Sequence, residues 1–308
     1  GSPHVPHRLP GARRTAGKPR KGTDMPFSFT EAPIASRQNR RIVGLCKLAD
    51  RGERERTGLF RFDGVKLLCE AVRREVPLTA VFVRAGSAGR VTERMAELYG
   101  LEPDALGCPA YAVENSLFDR ISEENAPEGV ICVAKALDKR HKMYTINGKD
   151  FPPVPAGPAV LLESLRDPVN VGAVIRTAAA LGVGCLILSR DCADISHPRT
   201  IRAAMGTLFS MTVLRVDDLA AAIVGLRRSG RRVYAAALDA DAVRLGTFAF
   251  GAEDCVVIGN EGHGLSPAVI DACDRSVYIP MQGDTESLNA SVAAALLMWE
   301  LHRGRREG

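Results

Sequence analysis

From residue 159 onward, short apolar runs alternate with helical segments, and this alternation constrains the fold more than any other feature of the chain. Strands are expected at 159–163, 185–189, 232–238, 255–259 and 277–281. Helices are expected near 171–181, 200–205, 219–228, 267–273 and 287–301. Strands that are apolar throughout must be covered on both faces, and an intervening helix supplies the crossover that parallel pairing needs. The predicted class is therefore α/β, with a mainly parallel C-terminal sheet carrying helices on both faces. Ligands of such sheets sit beyond the carboxyl ends of the strands. Residues that directly follow a strand are thus the first candidates for chemistry.

A smaller α/β pattern precedes this region, between Arg37 and Leu137. It contains a helix at 65–72, a strand rich in β-branched and aromatic residues at 78–83, a helix at 91–99 and a short buried strand at 129–134. The stretch 138–158 carries Lys139, Arg140, His141, Lys142 and Lys149, then clustered prolines, and has no apolar period. It reads as a linker or surface loop. The expected organisation is a basic arm or tag over 1–36, a small N-terminal α/β domain over 37–137, a linker over 138–158 and the second domain over 159–308. Residues 1–24, rich in Pro, Gly, Arg and His, read as tag or upstream sequence with Met25 as the natural start. A native organellar transit peptide is the alternative.

Composition narrows the function classes. With 46% hydrophobic and 25% charged residues in 308, there is ample material for a globular core. No apolar run approaches the roughly 20 residues that span a bilayer, so no membrane role is expected. The net charge of +5 hides an uneven distribution: residues 1–41 hold nine Lys/Arg against Asp24 and Glu31, and Arg303, Arg305 and Arg306 crowd the other end. Such an arm adds sequence-independent attraction to phosphates, or is simply solvated. The eight cysteines form no Cys-x-x-Cys or Cys/His spacing, so no metal site is expected. Placed mostly in apolar runs, they suit a reducing, cytoplasmic setting.

Three strand-end clusters carry candidate chemistry. The first runs from Glu163 to Thr177. Asn170 is suited to capping the following helix, but Arg176 falls inside an otherwise small and apolar helix, where a guanidinium needs solvent, phosphate or carboxylate. In the second, Gly259-Asn260-Glu261-Gly262-His263-Gly264-Leu265-Ser266-Pro267, a strand runs into three glycines and a helix start. Glycines admit close backbone approach of a ligand, though a tight turn alone also explains them. Their spacing fits neither a dinucleotide fingerprint nor a phosphate loop, which disfavours a nucleotide-dependent oxidoreductase. The third runs from Val277 through Ile279-Pro280-Met281 to Ser287-Leu288-Asn289-Ala290-Ser291. Ser287 is a possible cap, while Asn289 is less natural at the start of an apolar helix.

Taken in order, Asn170…Gly172…Arg176, Gly259-Asn260-Glu261-Gly262-x-Gly264 and Ile279-Pro280-Met281…Ser287-Leu288-Asn289-x-Ser291 resemble the three motifs of the SpoU/TrmH family of the SPOUT superfamily, RNA 2′-O-methyltransferases. The resemblance covers about 158–303, and more loosely extends to the family's ribosomal-protein-like RNA-binding domain over about 37–137. It implies S-adenosylmethionine as cofactor, held in a deep trefoil knot by Leu238, Gly259, Asn260, Gly264, Ile279, Met281 and Leu288. It also implies a catalytic set of Asn170, Arg176, Glu261, Ser287 and Asn289. Arg176 would approach the ribose, either as base or as electrostatic stabiliser of the alkoxide, and Glu261 would orient Arg176 or Asn170. Ser287 and Asn289 would fix the substrate or cofactor loop by hydrogen bonds. The resemblance further implies a homodimer and an RNA substrate. The extra N-terminal domain favours large-subunit ribosomal RNA over tRNA, and a non-catalytic RNA-binding protein is the competing class.

Overall fold

The computed structural model describes residues 27–124, 127–137, 141–144, 153–283 and 287–306. Residues 1–26 of the expected arm over 1–36 and most of the charged part of the expected linker lie outside them.

The first half comprises α1 (Arg40–Lys47), α2 (Arg51–Thr57), β1 (Leu59–Asp63), α3 (Val65–Arg73), β2 (Leu78–Arg84), α4 (Ala88–Tyr99), β3 (Ala110–Val113), α5 (Asn115–Ile121) and β4 (Val130–Lys135). Its four strands pair in the order β1-β4-β2-β3, antiparallel except for β2 with β3. Alternate side chains of these strands serve opposite faces. Val81, Val83, Cys132 and Ala134 face one core, while Phe82, Ile131 and Val133 face another beneath α1 and α5. Residues 27–36, expected within the arm, instead lie against β3: Thr30 and Ile34 donate backbone hydrogen bonds to Ala110 and Ala112 at 3.0 and 2.8 Å. Phe27 and Ile34 are buried there, and that apolar surface outweighs the basic character of the preceding arm.

The second half comprises β5 (His141–Tyr144), β6 (Ala159–Leu162), α6 (Pro168–Ala180), β7 (Cys185–Ser189), α7 (Pro198–Ala204), β8 (Val213–Val216), α8 (Leu219–Arg228), β9 (Val233–Ala236), β10 (Val243–Arg244), β11 (Cys255–Ile258), α9 (Pro267–Ala272), β12 (Arg275–Tyr278) and α10 (Ala290–Arg306). Its eight strands pair in the order β10-β12-β9-β11-β6-β7-β8-β5, and every pair is parallel. Val160 and Leu162 face α6 and α10, while Ala159 and Leu161 face α8 and α9. The expectation of a parallel sheet covered on both faces holds for the five strands read from sequence, while β8, between β7 and β5, was not among them. The stretch read as a linker supplies β5, which pairs with β8 at the sheet edge; an edge strand of four residues carries no apolar period for sequence reading to catch.

The two sheets share a continuous core. The Phe62 ring lies 5.4 Å from that of Phe209 across the junction, and Arg54 of α2 reaches Asp194 of the loop after β7 at 2.7 Å.

Candidate active site

The strand-end residues gather at the carboxyl edge of β12, β9, β11 and β6, four neighbours in the sheet. Two strands stop two or more residues earlier than expected, and β6 and β11 one residue earlier. β9 ends at Ala236 and β12 at Tyr278, so Leu238 and Ile279-Pro280-Met281 are loop residues. Pro280 cannot donate to a ladder, and β12 starts correspondingly earlier, at Arg275.

Helix α6 is capped by Asp167, whose carboxylate accepts from the Val169 N–H at 2.9 Å, with Pro168 as the first helical residue. The expected capping role of Asn170 is thereby corrected: a proline at the first position and an aspartate before it take the cap, which puts Asn170 one turn inside. Asn170 is buried. Its Nδ2 donates to Glu261 Oε1 at 2.5 Å, and its Oδ1 accepts from Asn289 Nδ2 at 3.2 Å. One side chain thus joins all three clusters. Asn289 does double duty, since its Oδ1 also accepts from the Ser291 N–H at 2.9 Å and so satisfies a free donor at the start of α10.

The glycine loop after β11 closes on itself. Asn260 and Gly264 exchange backbone hydrogen bonds at 3.2 and 2.9 Å, and the Gly262 N–H donates to Asn260 Oδ1 at 2.8 Å. A Cβ on Gly259 would stand 2.4 Å from the Gly264 carbonyl, so only glycine allows this approach. Two links tie the loop to β6: Asn260 Nδ2 donates to the Ser164 carbonyl at 2.9 Å, and the Ser266 N–H and hydroxyl donate to Glu163 at 2.8 and 2.6 Å. Glu163 and Ser164 were assigned no role from sequence. The available signal was a carboxylate ending an apolar strand, where it needs hydrogen-bond donors.

Gly172, the third residue of the first motif, serves packing rather than ligand approach. A Cβ there would lie 2.4 Å from the Thr200 carbonyl and 2.6 Å from Ala203 Cβ, so the glycine lets α6 and α7 touch.

Arg176 does not join the amide network. It is exposed and, among the described residues, makes no hydrogen bond or ion pair. It lies six residues beyond Asn170 on α6, about 9 Å along the axis and on another face. Of the two partners expected for Glu261, the structure gives Asn170. Ser287 is exposed and likewise without a hydrogen bond among the described residues. Leu238 and Met281 are exposed apolar side chains at the ends of neighbouring strands, and Ile279 and Leu288 are half-buried.

The arrangement therefore offers a backbone-lined glycine loop, two exposed apolar side chains, a fixed amide–carboxylate triad and a free arginine. Residues 157–299 match the model of the SpoU rRNA methylase family, and residues 39–132 match an MRM3-like substrate-binding domain. An uncharacterised tRNA/rRNA methyltransferase of Mycobacterium ulcerans is 34% identical over 240 residues, which is 77% of this chain and 74% of that protein.

The chain belongs to the SpoU rRNA methylase family.

As a member of this family it is an RNA methyltransferase that uses S-adenosylmethionine. Among other relatives, the Bacillus subtilis 23S rRNA (guanosine(2553)-2′-O)-methyltransferase RlmP is 28% identical over 270 residues, covering 87% of this chain and 98% of that protein. The SpoU methyltransferase AviRb of Streptomyces viridochromogenes, solved in complex with AdoMet, superposes with a TM-score of 0.72 at 28% identity. That superposition covers 88% of this chain and all of AviRb (100%).

Proposed function

We propose that this chain transfers the methyl group of S-adenosylmethionine to a ribose 2′-hydroxyl of large-subunit ribosomal RNA. The carrying observation is the Asn289–Asn170–Glu261 chain, which joins three separate clusters at the edge where parallel sheets bind ligands. The residues suit an adenosyl cofactor. The close approach at Gly259 and Gly264 keeps side chains out of the loop, so a ligand can lie against its backbone, and exposed Leu238 and Met281 offer apolar surface. With Asn260, Ile279 and Leu288 they would hold the cofactor, which supplies an electrophilic sulfonium methyl when bound.

The protein's own part is to position and activate the hydroxyl. A 2′-hydroxyl attacks poorly until its proton is polarised or removed. Arg176 brings positive charge to the developing alkoxide, a contribution worth most where water is excluded. Asn170, held from both sides, and Glu261 orient the ribose. Asn289 locks the start of α10, and Ser287 contacts the substrate or cofactor loop.

We assign the chain a homodimeric state. Val292, Leu296 and Trp299 recur at i, i+4 and i+7 on α10 and are 40–49% exposed, and Val169 on α6 is 48% exposed. An apolar stripe of that kind is covered by a partner. Arg176 follows Val169 by seven residues, hence on the same face of α6, so a second copy seated on this stripe completes the site around Arg176. Light scattering of Trp299→Glu is expected to give monomer without methyl transfer; a monomeric wild-type protein refutes the assignment.

We further assign the loops after β11 and β12 to the family's deep trefoil knot, which the spatial order β12-β9-β11-β6 supports. The first domain is the RNA-binding part, as its match to a substrate-binding domain suggests. A cytoplasmic setting accords with eight free thiols. The test is to map 2′-O-methylation after incubating the protein and cofactor with large-subunit ribosomal RNA and with tRNA. Methylation of the ribosomal RNA supports the reading; methylation of tRNA alone redirects the substrate, and binding without methyl transfer overturns it.

A further inference from the structure

We propose that the junction between the two domains is a binding site for a small carboxylate with an apolar body. The site is independent of the methyl-transfer centre. It is a cavity of about 270 Å³ between the α2–β1 segment and Ala136-Leu137 of the first half and the loop after β7, Leu208 and β8 of the second. Most of its wall is apolar, from Leu59, Phe60, Leu137, Ile195, Leu208 and Val213. Into this wall comes Arg215 of β8.

Among the described residues, the polar groups around Arg215 give it one hydrogen bond and no ion pair. Its Nη2 donates to the Arg190 carbonyl at 2.8 Å. Its Nε is buried and, among the described residues, has no hydrogen-bond partner. Two carboxylates also line the cavity, and both are committed elsewhere. Asp194 accepts from Arg54 at 2.7 and 3.0 Å and from Ser196 at 2.8 and 3.0 Å, and Glu55 pairs with Arg51 at 2.8 Å. Among the described residues Arg215 forms no ion pair. Burial, with the charge of Arg51 adding to it, pulls its guanidinium below the usual pKa, and the attraction of Asp194 and Glu55 does not offset them. The buried Nε without an acceptor costs free energy, and a carboxylate beside this half-buried guanidinium would meet its charge through a charge-assisted hydrogen bond. The apolar wall then asks for a hydrocarbon or aromatic body behind that carboxylate. A cavity of this size takes about ten non-hydrogen atoms, smaller than a cofactor site.

Both halves of the molecule supply walls, so an occupant bridges the domains and stabilises their docking by mass action. Benzoate is a fitting probe, with benzyl alcohol as its uncharged counterpart and inorganic phosphate as an anion without an apolar body. Calorimetric titration of the full chain is expected to show saturable benzoate binding, half-saturated on the order of 10⁻⁴ M, a reasonable affinity for so few atoms. Benzyl alcohol is expected to bind at least about tenfold more weakly, the difference made by one charge-assisted hydrogen bond. Arg215→Met keeps the aliphatic stem and removes the donor, so it should erase the benzoate preference while unfolding stays cooperative. Ala136→Phe fills the cavity with Arg215 in place and should abolish binding of both aromatic probes. No saturable benzoate binding to folded wild-type protein overturns the proposal. So does unchanged affinity in Arg215→Met, or binding of phosphate in preference to benzoate.

Discussion

Two arginines divide the molecule into contrasting regions. At the domain junction, Arg54 is buried and donates to Asp194 with Nε and Nη2 and to the Leu48 and Ala49 carbonyls with Nη1, all within 3.0 Å. On α6, Arg176 is exposed and has no partner among the described residues, while Asn170, Glu261 and Asn289 at the carboxyl edge of the sheet are tied to one another. The junction spends its polar groups on geometry. The edge holds its amides and carboxylate rigid and leaves one cation open to a substrate, as a site prepared for developing negative charge should.

Breaking the junction gives the largest expected effect on stability. Asp194→Ala strands a buried guanidinium and should cost about 3 kcal/mol, toward the low end for a buried ion pair because Asp194 keeps slight exposure. Urea denaturation measures it; a loss below about 1 kcal/mol means that the junction is held by Phe60, Phe62 and Phe209 alone. Gly172→Ala comes next. With backbone at 2.4 Å from the new Cβ, α6 must move off α7, an overpacking cost of about 1–3 kcal/mol. Since α6 carries both Asn170 and Arg176, activity should fall more steeply than stability.

Asn289 sharpens the contrast at the edge itself, because its two ends do different things. Asn289→Asp keeps the acceptor that caps α10 but loses the donor to Asn170. Melting temperature should hold, while kcat falls about tenfold, the equivalent of one hydrogen bond of roughly 1.4 kcal/mol. Equal losses of both would reduce Asn289 to a cap. The smallest effect is in acid. Burial pushes the Asp194 carboxyl up, but hydrogen bonds from Arg54 and Ser196 outweigh it and hold its pKa below the ordinary value of 3.8. A carboxylate depressed on folding stabilises above its unfolded pKa, and that stability is lost as pH falls through the folded one. The junction should therefore weaken only below about pH 4, and Asp194→Asn should flatten this part of a stability–pH curve.

The parallel sheet was legible because its central strands are apolar on both faces, as Val160 and Leu162 against Ala159 and Leu161 show. What escaped sequence reading was short or at an edge. β5 mixes charge into four residues, β10 has only two, and residues 27–36 gain their place from three apolar side chains spread through a polar stretch. The candidate site divides the same way. Asn170, Glu261 and Asn289 could be named from motif order, but their pairing depends on a fold that brings residues 91 and 119 positions apart into contact. Asp167 took the cap expected of Asn170 because a proline at the next position favours a helix start there.

Methyl transfer by Arg176→Ala against wild-type protein, with cofactor binding and melting temperature measured on the same samples, isolates what the exposed guanidinium contributes to the reaction. Methyl incorporation into ribosomal RNA should fall by about 10²–10³-fold, with cofactor affinity and melting temperature unchanged. Wild-type incorporation by that variant would contradict a catalytic role for Arg176.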